Sequence, residues 1–276
     1  MASGLSRIHW FSFAGVKVTN LDFNLNTPKL VSVSKPASPK MECWEFNAPK
    51  RHGSRYSSNR YEDLNIKVTI GAQGTAQERQ SKITNLLEQW IGKEDKLIFS
   101  DRPNCFYKAR FYDSVTTKDS GTFTEITINF IASFCMYELY DDLRDYLVND
   151  LTMTADSIGT LVCRATWQDI TAYTSKVITN RGNFEAQPLI EISGTATLLT
   201  LEVNNKEFSI SNLNGTVYVD TENMNVYKIV SNKKVSVLPQ FQGEFPTIAP
   251  GENNVFIGGT NLNLDITIDF KNTYIV

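Results

Sequence analysis

Apolar residues recur at every second position through most of this chain, and they fall at helical spacing over only one long stretch. The clearest alternation is Leu262, Leu264, Ile266, Ile268 and Phe270, with polar residues between them. Such a period places one face of a strand in a core and the other toward water. Leu199, Leu201 and Val203 alternate in the same way, Asn204-Asn205 offers a two-residue hairpin turn, and Phe208 and Ile210 continue the returning strand. Val217 and Val219, then Val226 to Val230 after a turn over Asp220 to Asn225, add further strands. In the first half strands are expected at Phe11 and Phe13, at Leu64 to Ile70, Lys96 to Phe99, Cys105 to Tyr112 and Thr122 to Ala132. Val16, Val18, Leu21, Phe23 and Leu25 alternate with a one-residue slip, the pattern of a bulge.

The exception is Thr75 to Ile91, where Ile83, Leu86, Leu87, Trp90 and Ile91 form one helical stripe. Thr75 and Glu78 have capping-box spacing and Gly92 offers a stop. The prolines 28, 36, 39 and 49 exclude a helix or an interior strand between Thr27 and Pro49 and require loop there. These patterns predict a mostly β protein with one prominent helix, in two parts. The first is a β domain over residues 1–137 carrying the helix at 75–91. An acidic connector over 138–150, with Leu139, Leu143 and Leu147 among Asp141, Asp142, Asp145 and Asp150, leads to a β-sandwich over 151–276.

Composition narrows the function classes. Lys and Arg number 27 against 30 Asp and Glu, a net charge of −3, which gives no global attraction to nucleic acid or anionic membrane. Fifteen of the 24 asparagines follow Tyr140, as suits a domain of short strands and tight turns. Cys43, Cys105, Cys135 and Cys163 are too far apart for a CxxC motif and are expected to be reduced and mostly buried. The N-terminal residues lack the apolar run of a signal peptide, and no stretch is long and apolar enough for a membrane helix. The sequon Asn214-Gly215-Thr216 then reads as a turn.

Chemistry has few footholds. His9 and His52 are the only histidines and neither sits in a metal-ligand pattern; GxSxG, GxxxxGK[ST] and GxGxxG are missing. No catalytic, cofactor-binding or metal-ligating residue is assigned, although a pair of distant carboxylates, as in a wall hydrolase, has no sequence signature to exclude. Three features invite a binding reading. Pro49 to Arg60 carries Lys50, Arg51, Arg55 and Arg60 with no acid, which suits either a contact with an acidic partner or a solvated loop. His9, Trp10, Phe11 and Phe13 could form a stacking platform, but two of them entering a core from one strand is the simpler reading. Trp167, Tyr173 and Tyr218 could stack on sugars or pack at a sheet edge.

Several segments taken together go further. FSFAGVKV, RYEDLNIKVTIG, ERQSKITNLLEQWIG, KLIFSDRPNCFYKARFYD and GTFTEITINFIASF resemble the first domain of distal tail proteins of long-tailed phages. NRGNFEAQPLIEISGTATL, LEVNNKEFSI, LNGTVYVDTENMNVY and FPTIAPGENNVFIGG resemble that family's C-terminal domain, in the same order. The resemblance implies a β-sandwich-like ring domain followed by a galectin-like or carbohydrate-module-like sandwich, without enzyme activity or cofactor. It implies a hexameric ring at the distal end of the virion tail, assembled in the host cytoplasm, that joins the tail tube to the tail tip or baseplate. The implied partners are further copies of the chain, the tail tube protein, a hub or fibre protein and the tape measure protein. No membrane is involved, and DNA would only pass through the channel. Within such a ring Lys50, Arg51, Arg55 and Arg60 are expected at a subunit or tube interface or along the channel. Some relatives carry an inserted carbohydrate-binding module, for which residues 138–276 leave no room. The rival reading is a lectin-like adhesion module that binds wall saccharide through the C-terminal sandwich.

Overall fold

The computed structural model describes residues 8–20, 27–46, 55–111, 116–139 and 163–275. Among the described residues the chain is mostly strand with one α-helix, as the periodicity predicts. It divides into two units, residues 1–139 with 275–276, and residues 140–274.

The first unit contains β1 (Trp10–Phe13), β2 (Val16–Thr19), β3 (Lys29–Ser34), β4 (Met41–Phe46), β5 (Arg55–Tyr61), β6 (Leu64–Gln73), α1 (Ala76–Glu88), β7 (Glu94–Phe99), β8 (Cys105–Phe111), β9 (Thr116–Asp119), β10 (Phe123–Ala132) and β11 (Met136–Glu138). Its main sheet runs in the order β2-β1-β7-β8-β10-β6-β3, and the two end strands come back into contact with each other. The spine is the β6–β10 pair, in register from Leu64 opposite Ala132 to Gln73 opposite Phe123. Ile70 faces Ile126, Val68 faces Ile128 and Ile66 faces Phe130, and all six side chains are buried. Branched and aromatic cross-strand pairs of this kind are the stabilising unit of a sheet. Gly71 is required beside them, because a Cβ there would stand 2.1 Å from the Phe123 ring.

Helix α1 closes this core. Thr75 caps its first turn and exchanges hydrogen bonds with Glu78, as the sequence predicts. Ile83 and Leu86 are buried, and Trp90, just past the helix, meets Phe11, Phe13 and Phe130 ring to ring at 5.7, 6.0 and 6.1 Å. The helix stops a turn earlier than expected, with Gln89 as its cap in place of a Gly92 stop, so Ile91 leaves the apolar stripe and is exposed. Arg79, on the same helix, is buried. It donates to Thr124 Oγ1 at 2.7 Å, to the Gly74 carbonyl at 2.8 Å and to both carboxylate oxygens of Asp119 at 3.1 Å, tying the helix to β9 and β10. The Gly121 amide and then Arg79 hold the Asp119 carboxyl below its ordinary range.

The second unit contains β12 (Arg164–Ile170), β13 (Thr174–Asn180), β14 (Leu189–Val203), β15 (Lys206–Asp220), β16 (Asn225–Val230), β17 (Lys233–Ser236), β18 (Phe241–Gly243), β19 (Gly251–Thr260) and β20 (Asn263–Asp269). One path of strands runs β12-β20-β14-β15-β16-β17, while β19 joins β13 to β14. The organising piece is the long β14–β15 hairpin, turned by Asn204 and Asn205 with φ of +50° and +67°, the conformation expected of a two-residue hairpin turn. The first half of β14 pairs with β20 and the second half with β19, so the hairpin bends from one layer into the other. Burial follows the bend: Ile190 and Ile192 point inward, then the phase changes to Leu199, Leu201 and Val203. Gly194 sits at this corner with φ +131°, where a Cβ would lie 2.3 Å from the Asn263 carbonyl.

Three sequence expectations are revised, while that for Thr27 to Pro49 holds: its two strands, β3 and β4, lie between the prolines with loop over 35–40. β3 ends the main sheet and β4 has a single partner, β5, so neither requires an interior ladder. The Pro49 to Arg60 segment is not a loop throughout, because β5 begins at Arg55. Of the four free cysteines only Cys135 is buried, and Cys43 is exposed. Asparagine does more than turn the chain: Asn180, Asn253 and Asn272 are buried and hydrogen-bond to the backbone of Ile248, Ala249 and Arg181, residues outside the named strands. Residues 140–150 of the expected connector and the 21–25 part of the slipped strand lie outside the described residues.

Candidate interaction surfaces

The β4–β5 hairpin is a two-stranded sheet of its own. Pairing Met41 with Tyr61, Glu42 with Arg60 and Trp44 with Ser58 fixes which residues share a face. Met41, Cys43 and Trp44 are all exposed, Trp44 by 56%. Consecutive residues of a strand point to opposite sides, so neither side of β4 is covered here. The hairpin base is held by polar contacts, since Arg60 Nε meets Glu42 Oε2 at 2.7 Å and Lys40 Nζ meets Glu62 Oε1 at 2.7 Å. Arg60 is the chief reason the Glu42 carboxyl lies below its ordinary value, and Glu62 raises Lys40.

The basic set is therefore divided by the fold. Arg60 is paired with an acid that the sequence places 18 residues earlier and that only strand pairing brings beside it. Arg55 opens β5, its side chain lies outside what is described, and Lys50 and Arg51 lie wholly outside the described residues.

The N-terminal aromatics are core rather than platform. Phe11 and Phe13 are fully buried, His9 is exposed, and Trp10 is covered by Lys17, whose Nζ stands 4.2 Å from its ring centre. In the second unit Trp167, Tyr173 and Tyr218 do not form one platform. Trp167 is buried, Tyr173 is exposed and stacks on Phe256 at 6.3 Å, and Tyr218 stacks on Tyr227 at 5.3 Å. An open depression of about 420 Å³ lies where the β14–β15 hairpin bends, lined by Thr195, Thr197, Asn212, Asn214 and Asn261 among others. Its floor explains it structurally: Asn212 and Asn261 have φ of +52° and +54°, and Asn261 donates to Thr197 Oγ1 at 3.0 Å. It carries no charge and no aromatic ring on which a sugar could stack.

Nucleophile and metal chemistry find no assembled site among the described residues. No three His, Cys, Asp or Glu side chains are grouped to hold a metal ion. Burial pushes the Cys105 thiol upward, away from the reactive thiolate. Among the described residues no helix is long and apolar enough to cross a membrane. Sequence reasoning passed over Trp44 because it sits between prolines in a segment assigned to loop, and a lone exposed aromatic has no periodicity to announce it.

Residues 16–132 match the phage tail protein RIFT-related domain family. The fold is similar to that of the Dit (gp 19.1) protein of phage SPP1, described as a paradigm of the hub adsorption apparatus in phages that infect Gram-positive bacteria. The TM-score is 0.63 at 16% identity, over 97% of this chain and 98% of that one. The phage p2 baseplate in its activated conformation, solved with strontium and with calcium, gives TM-scores of 0.45 at 10% identity. These two matches cover 97% and 96% of this chain and 98% of each of those chains. No characterised protein sequence matches significantly. The mostly β fold and the resemblance to distal tail proteins, both read from the sequence, are borne out.

Proposed function

We propose that this chain, with a phage tail domain in its first unit and the SPP1 Dit fold from end to end, is a structural hub component at the distal end of a long-tailed phage tail. What carries the reading is the pairing of the family match over residues 16–132 with a fold likeness that spans nearly the whole of both chains. Copies of the chain form a closed ring, hexameric by the family resemblance, between the tail tube protein above and the hub or fibre protein below. The channel admits the tape measure protein and passing DNA, and the second unit is a galectin-like sandwich. Function then comes from geometry and repeated contacts, which closed symmetry multiplies.

The β4–β5 hairpin supports self-assembly. A lone two-stranded hairpin is marginal in water, and this one exposes Met41 and Trp44. The hairpin is anchored at one end, where Tyr61 stacks on Phe134 at 5.6 Å, and large exposed apolar side chains beyond such an anchor are what a subunit contact covers. In sequence Lys50 and Arg51 fall between β4 and β5 and Arg55 opens β5, and we assign their positive charge to that contact; Arg60 pairs with Glu42. Reversing Lys50, Arg51, Arg55 and Arg60 to glutamate is expected to weaken ring assembly or tube attachment, and unchanged assembly would remove these residues from the interface. The functional assignment itself is tested by immunogold labelling of purified virions with antibody to the chain. Label at the distal tail end is the expected result; label confined to the capsid or the tube would refute the assignment.

A further inference from the structure

In the second unit one aromatic ring lies flat on the outside of a sheet. Tyr173 stands just before β13 and is 68% exposed. A Cβ added at Gly258 would lie 3.4 Å from the Tyr173 Cδ2, so the ring covers a place on β19 where the backbone has no side chain. Its plane is within 18° of that of Phe256, whose ring centre is 6.3 Å away. One face of the Tyr173 ring is taken by the sheet and the other is open to solvent.

Register extends this surface sideways. Val255 and Ile257 of β19, Leu199 and Leu201 of β14 and Phe208 and Ile210 of β15 belong to the core, so the residues between them point outward. Gly258 is opposite Thr200, Thr200 is opposite Ser209, and Ser209 is opposite Gln242 of β18. From β13 to β18 is four strand spacings, about 19 Å. In the neighbouring row Phe256 is opposite Glu202, and Glu202 is opposite Glu207.

The fold alone does not call for these side chains. An aromatic ring laid over a strand glycine does stabilise a sheet, and that accounts for the inner face of Tyr173. It does not account for two carboxylates set directly across a strand pair, which destabilise it. Neither row contains a Lys or Arg, and no ion pair to Glu202 or Glu207 is found among the described residues.

The chemistry selects one class of ligand. Near-parallel rings on an open face stack against a flat, CH-rich surface, whereas an ammonium group is held where rings converge around it. The two carboxylates accept hydrogen bonds from hydroxyl groups and repel anions. Thr200, Ser209 and Gln242 can donate as well as accept, which a hydroxyl-rich ligand uses and a simple cation does not. An uncharged pyranose has this combination, a flat CH face rimmed by hydroxyls.

The geometry points to the outer face of β13, β19, β14 and β15 as a binding platform for a neutral polysaccharide. One sugar ring stacks on Tyr173 beside Phe256, its hydroxyls donate to Glu202 and Glu207, and the chain continues along Thr200, Ser209 and Gln242. The second unit then holds a surface glycan while the chain serves as a hub.

Isothermal titration calorimetry of the full chain tests this with cellohexaose, maltohexaose, galactohexaose and chitin hexasaccharide, and with hexalysine as a cationic probe. Saturable binding of at least one of the four sugars is expected, and none of hexalysine. Tyr173→Ala should weaken that binding about tenfold, and Tyr173→Phe, which keeps a ring over Gly258, by less than about threefold. The double variant Glu202→Gln, Glu207→Gln should weaken it about threefold while chain stability holds or rises, which separates a ligand contact from a part in the fold. Absence of saturable binding to all four sugars, or an affinity that Tyr173→Ala or the double variant leaves unchanged, would overturn the proposal. Binding of hexalysine alone would overturn it in favour of a cationic partner. None of these readings depends on ring assembly, so failure here leaves the hub assignment standing, and the reverse also holds.

Discussion

Two hairpins in this molecule have the same backbone arrangement and opposite circumstances. β14–β15 is long, paired on both flanks by β18, β19, β20 and β16, and sends Ile192, Leu199, Leu201, Phe208 and Ile210 into a continuous core. β4–β5 pairs only with itself and displays Met41, Cys43 and Trp44. Hydrogen bonding between strands is alike in the two, so the ladder is not what separates them. The difference lies in what covers the side chains: the first hairpin is covered by its own core, and the second leaves exposed the side chains that the proposed subunit contact would cover.

Substitutions should separate the two hairpins sharply. Leu201→Ala, at a fully buried site, is expected to lower unfolding free energy by about 3 kcal/mol in a denaturant titration. Gly194→Ala should cost about 2 kcal/mol in the same measurement, since φ is +131° and the added carbon meets the Asn263 carbonyl. Trp44→Ser should change the stability of the isolated chain by less than about 0.5 kcal/mol while shifting its sedimentation toward smaller species. A large loss of chain stability from Trp44→Ser would place that ring in the fold and erase the contrast. The smallest expected effect is one of pH. The Glu42 carboxyl lies below its ordinary value of 4.5, so its pairing with Arg60 supports the hairpin above that pH and is lost as pH falls through the lowered value. Protection of the β4 and β5 amides, taken relative to intrinsic exchange rates at each pH, should fall on acidification in the parent chain, and Glu42→Gln should remove that response.

Much of this fold is legible in the sequence, for a physical reason. Strands with one buried face must alternate, so β10, β14 and β20 are visible as Ile126-Ile128-Phe130, Leu199-Leu201-Val203 and Leu264-Ile266-Ile268. The capping box and the Asn204-Asn205 turn are local chemistry and are equally visible. What escaped has no local signature. The described side chains of β4, Met41 to Trp44, present no buried face to impose a period, β9 is four exposed residues, and Arg79 reads as a surface residue of α1 until Asp119 and Thr124 arrive from strands 40 and 45 residues away. The same non-local pairing altered the candidate site. A segment that carries only positive charge in sequence meets Glu42 in space, so Arg60 is taken up by an ion pair, while the side chains of Lys50, Arg51 and Arg55 lie outside what is described.

The central claim is that copies of this chain cover one another at the β4–β5 hairpin. Native mass spectrometry of the full chain and of Trp44→Ser, each alone and with the tail tube protein, tests it most directly. A ring closed at that hairpin gives a species at six times 31.1 kDa for the parent chain in at least one condition, and Trp44→Ser removes it. A parent chain that stays at 31.1 kDa in both conditions, or a ring that Trp44→Ser leaves intact, would contradict it.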